Sequence, residues 1–186
     1  MVLSSPKWHD VPRTRTAFLV WLFFLLLLMG PGSVRGDEPL SDDQKKLKAL
    51  AMYSDYKKSF PHVADIGAEE AIALLSDPDV VFVDVRKPEE QAISMIPGAI
   101  RKEIFMADLD QYRNKRIIGY CTISYRSGKL ARKLKKNGIT MYNLEAGLLG
   151  WVHAGGPVVR QEQPVQEIHV YGPKWDLAPA HIMTIH

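Results

Sequence analysis

Two runs of β-branched and aromatic residues limit what this chain can become: DVVFVDV at 79–85 and RIIGYC at 116–121. Neither run alternates regularly between apolar and polar residues. A strand that is apolar along nearly its whole length buries both faces, as parallel strands do when helices cover a sheet on both sides. The segments around them keep the same rhythm. PHVADI (61–66) reads as extended and AEEAIALL (68–75) as helical. Residues 88–94 read as a short helix with Pro88 at its first position. Pro97-Gly98 breaks the chain before a short strand at 99–101. A modest helix is expected at 105–113. SGKLARKLKKN (127–137) reads as an amphipathic helix closed by Asn137-Gly138, ITMYN (139–143) as a strand, and 146–153 as a last short helix. Alternation of strand and helix from 61 to 153 predicts an α/β domain on a small, mostly parallel sheet.

Flanking segments differ in character. Residues 39–58 carry Leu47, Leu50, Ala51 and Met52 at helical spacing behind a Ser41/Gln44 capping box, so 37–59 is expected to be an N-terminal helical segment. Residues 157–186 hold four prolines and one alternating patch, IHVY at 168–171. Residues 161–186 are therefore read as a Pro-containing C-terminal tail. Its Val170, Tyr171, Trp175 and Leu177 are candidates for docking on the domain or on a partner.

Residues 1–36 read as an export signal or a membrane anchor. Arg13 and Arg15 precede thirteen apolar residues, Ala17 to Met29, followed by a small-residue exit that places cleavage after Gly36. Thirteen helical residues span about 20 Å, short of the ~30 Å hydrocarbon core. Counting from Thr16 and on through Val34 reaches nineteen uncharged residues, which keeps an uncleaved anchor open. Either way the body is expected to be exported, periplasmic or secreted, or to face that side from the membrane. The net charge of +3 belongs to this segment alone. Residues 37–186 hold 20 basic and 20 acidic side chains, which argues against a nucleic-acid partner.

The single cysteine excludes an intrachain disulfide framework and a Cys-rich zinc site. The histidines show no ligand spacing, so no metal and no cofactor are expected. What Cys121 does have is its place. It ends a buried strand and opens CTISYRS, which leads into a helix beginning near Ser127. Such a turn leaves backbone N–H groups directed into the loop at the positive end of a helix dipole, where an anion is favoured and a thiol ionises more readily. A small buried hydrophobe is the other reading of a lone Cys.

At these residues the chain resembles the rhodanese-like domain family. VFVDVRKPEE (81–90), IPGAI (96–100), YCTISYRSGKLARKLKKNGI (120–139) and YNLEAGLLGW (142–151) occur in the family's order, covering roughly 60–160. The resemblance implies a three-layer domain and a sulfurtransferase in which Cys121 takes a sulfane sulfur as a persulfide. It implies that Thr122, Ile123, Ser124, Tyr125, Arg126 and Ser127 form the substrate loop, with Arg126 holding the sulfonate end of a donor such as thiosulfate. It also implies that Asp84 and Arg86 brace the loop without taking part in the chemistry. Spacing alone offers a plainer use for Arg86, a surface pair with Glu90 at i,i+4. The implied partners are a small anionic sulfur donor and a thiophilic acceptor, cyanide, a thiol or a protein. The alternative is a sulfur-carrier or partner-binding module with little turnover.

Two departures stand out. Many relatives carry Gly where Ser124 stands, and Gly-His where Ser94-Met95 stand. A Cβ at 124 restricts the loop if that residue needs a positive φ. Four residues separate Cys121 from Arg126, whereas resembling cysteine phosphatases need five, and the residue at that place is Ser127. Phosphatase chemistry is therefore not expected.

Overall fold

The structure, a computed structural model, describes residues 38–186. The export or anchor segment read at 1–36 lies outside the described residues. Among these, no helix is long and apolar enough to cross a membrane.

Helix α1 spans Asp42–Lys57 and begins with the expected capping box: the Gln44 N–H donates to Ser41 Oγ and the Ser41 N–H to Gln44 Oε1. The remaining elements up to residue 153 are β1 (Asp65–Ile66), α2 (Ala68–Ala73), β2 (Val80–Asp84), α3 (Pro88–Ile93), β3 (Ile100–Arg101), α4 (Lys102–Ala107), β4 (Arg116–Tyr120), α5 (Tyr125–Lys135), β5 (Met141–Leu144) and α6 (Gly147–His153). The five strands form one sheet in the order β1-β5-β4-β2-β3, every pair parallel. β4 sits at its centre with Val83 opposite Gly119 and Asp84 opposite Tyr120.

Side chains alternate along a strand, so Ile117 and Ile118 face opposite sides of the sheet. Both are buried, as are Val83 and Phe82 beside them, which means both faces are covered. Phe82 meets the Trp151 ring of α6 edge-on at 5.7 Å. Two local expectations shift. The helix read at 105–113 breaks at Asp108, whose carboxylate accepts the Gln111 N–H and starts a separate 3₁₀ turn at Asp110–Tyr112. The helix expected from Ser127 starts two residues earlier, at Tyr125.

The flanking segments belong to the same compact unit, Leu40–His186. Ala49 and Tyr53 of α1 are buried in its core, and so are Ile168, Val170, Leu177 and Ala178 of the tail. The tail gains order by one local and one distant strand pairing. β6 (Val158–Arg160) and β7 (Gln163–Val165) form an antiparallel hairpin, and β8 (Glu167–His169) runs parallel to β9 (Met183–Ile185). The basic face of α5 is partly engaged in packing: Arg132 donates to the Ser59 carbonyl and Lys135 to that of His62.

Candidate active site

Cys121 follows the last residue of the central strand and is 2 % exposed. Its loop is shaped from behind by the turn between β5 and α6. There Ala146 and Gly147 both have positive φ, 52° and 58°. This double turn aims the first amides of α6 at the loop, so that Leu148 N–H donates to the Cys121 carbonyl at 2.9 Å and Leu149 N–H to that of Thr122 at 3.1 Å. The Asn143 side-chain amide donates to the Ser124 carbonyl at 3.1 Å. In a trans peptide unit the N–H points opposite to the C=O. Pinning those three carbonyls toward β5 and α6 therefore turns the N–H groups of Thr122, Ile123 and Tyr125 the other way. Among the described residues, the N–H groups of Ile123 to Ser127 donate to no protein acceptor. The loop is a nest of available donors, the arrangement that favours an anion.

Ser124 has φ 60° and ψ 22°, so the left-handed conformation that glycine adopts freely is here imposed on a serine. Its hydroxyl is buried without a partner. A left-handed L-residue costs about 1–2 kcal/mol, whereas glycine loses about 0.5–1 kcal/mol in chain entropy. Ser124→Gly is therefore expected to raise stability by about 0.5–1 kcal/mol, read as a rise in thermal midpoint of about 1–4 °C at this chain length.

The strand before the loop is braced by a buried pair. Arg86 is 1 % exposed and donates to both Asp84 oxygens, Nη2 to Oδ2 at 2.6 Å and Nε to Oδ1 at 3.0 Å. It also donates to the Ser94 carbonyl. Tyr120 donates its hydroxyl to Asp84 Oδ2 at 2.9 Å and accepts the Ile96 N–H. Burial, reinforced by the Asp84 charge, holds the Tyr120 phenol far above its ordinary pKa, so it is a neutral donor. Asp84 and Arg86 thus grip the residue next to Cys121. The surface Arg86–Glu90 pair does not form.

Glu90 instead faces the loop, a role that its spacing, which offered only the surface pair with Arg86, did not indicate. It does accept the Lys87 N–H at 3.0 Å as a cap would. Its main partner is Arg126, 36 residues on, which donates Nη1 to Oε2 at 2.5 Å and Nη2 to Oε1 at 2.7 Å. Thr122 Oγ1 donates a fourth bond at 3.3 Å. Burial alone would raise the Glu90 pKa, but hydrogen bonds from Arg126 and the Lys87 amide pull it to about 2. Burial lowers the Arg126 pKa, and Glu90 and Cys121 outweigh it, so the guanidinium stays charged. Arg126 is therefore partly neutralised in place and is not a free anchor for a sulfonate.

A folded-state pKa below the unfolded one stabilises above the unfolded value, and that gain is lost as pH falls through the folded value. The excess stability of wild type over Glu90→Gln is expected to be full at pH 7 and to shrink between roughly pH 5 and pH 2, as measured by urea unfolding at several pH values.

A pocket of about 500 Å³ opens over the thiol, lined by Cys121, Thr122, Ile123, Tyr125 and Arg126 together with Lys87, Tyr56, Tyr171 and Trp175. Ser124 and Ser127, read as loop residues, are buried behind it and do not line it. Nor was Asn143 expected in the site. Its amide also donates to the Tyr53 hydroxyl, which donates to Asp65, tying the loop to α1.

The family model of the rhodanese-like domain matches residues 67–154. A tRNA uridine(34) hydroxylase from Buchnera aphidicola (subsp. Schizaphis graminum) is 33% identical over 98 residues, 47% of this chain and 31% of that protein. One from Synechocystis is 32% identical over 94 residues, 45% and 34% respectively. The chain thus spans about a third of the length of these relatives. A solved thiosulfate sulfurtransferase from Pseudomonas aeruginosa superposes with a TM-score of 0.52 at 25% identity, covering 63% of this chain and 24% of that one. The parallel sheet, the cysteine loop and the sequence match agree: residues 67–154 of this chain are a rhodanese-like domain.

Proposed function

We propose that the protein is a sulfurtransferase that carries sulfane sulfur as a persulfide on Cys121. The observation that supports this best is the set of amides turned toward the pocket by the pinned carbonyls of Cys121, Thr122 and Ser124. In the first step the Cys121 thiolate attacks the outer sulfur of a thiosulfate-type donor. A new S–S bond forms, the donor's own S–S bond breaks, and sulfite leaves with the electron pair. The terminal persulfide sulfur carries the negative charge and rests among the loop amides. Cyanide or a thiol then attacks that sulfur, and the Cys121–sulfur bond breaks to regenerate the thiolate. No general base is needed if the loop already holds the thiolate.

Arg126 and Glu90 act together as a fixed, ion-paired wall beside the sulfur. Asp84, Arg86 and Tyr120 position the strand end. The small acceptor approaches through the pocket, and a protein thiol is a second acceptor class. Export of the chain on residues 1–36 would put this chemistry outside the cytoplasm.

Thiocyanate formation from thiosulfate and cyanide tests the reading. Turnover is expected in wild type and is expected to fall at least about 1,000-fold in Cys121→Ser, the size of effect that follows loss of a nucleophile. Equal rates in both proteins would refute it. Activity that appears only with a partner protein would favour the carrier alternative.

A further inference from the structure

Three of the four aromatic rings that line the pocket above Cys121 come from outside the matched domain. Tyr56 belongs to α1 and Tyr171 and Trp175 to the tail, whereas the family match covers 67–154. These rings are arranged as a lining. Tyr56 lies 5.1 Å from Tyr125, Tyr171 meets Trp175 edge-on at 5.4 Å, and the Arg126 guanidinium sits 5.8 Å from the Tyr171 ring. The charge of the pocket is modest. Glu90 offsets Arg126 through two hydrogen bonds, and Lys87 Nζ stands 3.7 Å from Glu89. With a thiolate at the floor, a small dianion would meet little uncompensated positive charge and would leave the aromatic walls unused. A donor with one negative charge and an apolar body uses both features.

We propose that the site selects sulfane-sulfur donors whose terminal sulfur is attached to an aromatic body carrying a single negative charge, the chemistry of an aryl thiosulfonate, with Tyr171 and Trp175 as the specificity-determining residues. The proposal rests on the sulfurtransferase reading. The Cys121 thiolate attacks the outer sulfur of Ar–SO₂–S⁻. One S–S bond forms, the bond from that sulfur to the sulfonyl sulfur breaks, and its electron pair departs with the arenesulfinate. Two anions react and two anions result, with no outside oxidant or reductant.

The test is initial-rate kinetics on the full chain with cyanide as acceptor, comparing benzenethiosulfonate, methanethiosulfonate and thiosulfate. Wild type is expected to favour benzenethiosulfonate over methanethiosulfonate at least about 10-fold in kcat/KM, the size two aromatic contacts supply. In Tyr171→Ala/Trp175→Ala the ratio is expected to fall below about 3-fold. The ratio is an internal control, since loss of folded protein lowers both rates alike. A second measurement needs no turnover: calorimetry on Cys121→Ser is expected to show tighter binding of benzenesulfonate than of methanesulfonate. Transfer from methanethiosulfonate or thiosulfate without an aromatic preference overturns the selectivity and leaves the sulfurtransferase reading standing. Absence of Cys121-dependent transfer from all three donors overturns both.

Discussion

Arg86→Ala is expected to lower unfolding free energy by about 3–5 kcal/mol, the usual consequence of removing one member of a buried ion pair. Asp84 is fully buried, and without Arg86 its charge keeps only the Tyr120 hydroxyl and the Arg86 backbone amide as donors. The Ser94 carbonyl loses its guanidinium donor as well. The penalty comes from the charge left behind, so a variant that leaves none should recover much of it. Asp84→Leu/Arg86→Met is expected to be more stable than Arg86→Ala. Urea unfolding measures both, and a double variant no more stable than the single would contradict the charge argument. Sulfur transfer is expected to fall with Arg86→Ala even where the protein stays folded, because Tyr120 holds the strand end at Cys121 through Asp84.

Gly147→Ala is expected to damage the site more selectively. A Cβ at Gly147 would lie 2.2 Å from the Cys121 carbonyl oxygen and 2.8 Å from the Ser124 nitrogen, both backbone atoms that cannot swing aside. The residue also needs φ 58°, which adds the left-handed cost of about 1–2 kcal/mol. Relief requires the β5–α6 turn to move away from the loop, breaking the bonds from Leu148 and Leu149 that pin the Cys121 and Thr122 carbonyls. Overpacking of this kind costs about 1–3 kcal/mol in addition. Transfer is expected to fall more than about 10-fold, since about 1.4 kcal/mol of lost transition-state stabilisation is tenfold. A Gly147→Ala protein with wild-type turnover would mean that these amides do not shape the loop.

The sheet was legible because β2 and β4 announce their own burial. DVVFVDV and RIIGYC satisfy two faces at once, and no surface strand would carry them. Helix α1 was legible for a different reason, since Ser41 and Gln44 cap it locally. The cysteine loop followed from its position between a buried strand and a helix. The role of Glu90 escaped because it is set by a partner 36 residues away, while its spacing satisfies the simpler rule of an i,i+4 pair with Arg86. Asn143 escaped in the same way: a polar residue in an apolar strand shows that it needs a partner, not which one. The tail hid most. Its pairing of Glu167–His169 with Met183–Ile185 is parallel and non-local, and prolines interrupt the pattern between them. As a result, the aromatic walls above Cys121 had no signature in the spacing of residues 157–186.

Intact-mass analysis of the full chain after exposure to thiosulfate or benzenethiosulfonate tests the persulfide on Cys121 most directly. An added mass of about 32 Da per chain is expected, removed by cyanide and absent in Cys121→Ser. A wild-type chain that gains no sulfur from either donor, or a Cys121→Ser chain that gains as much, would contradict the account.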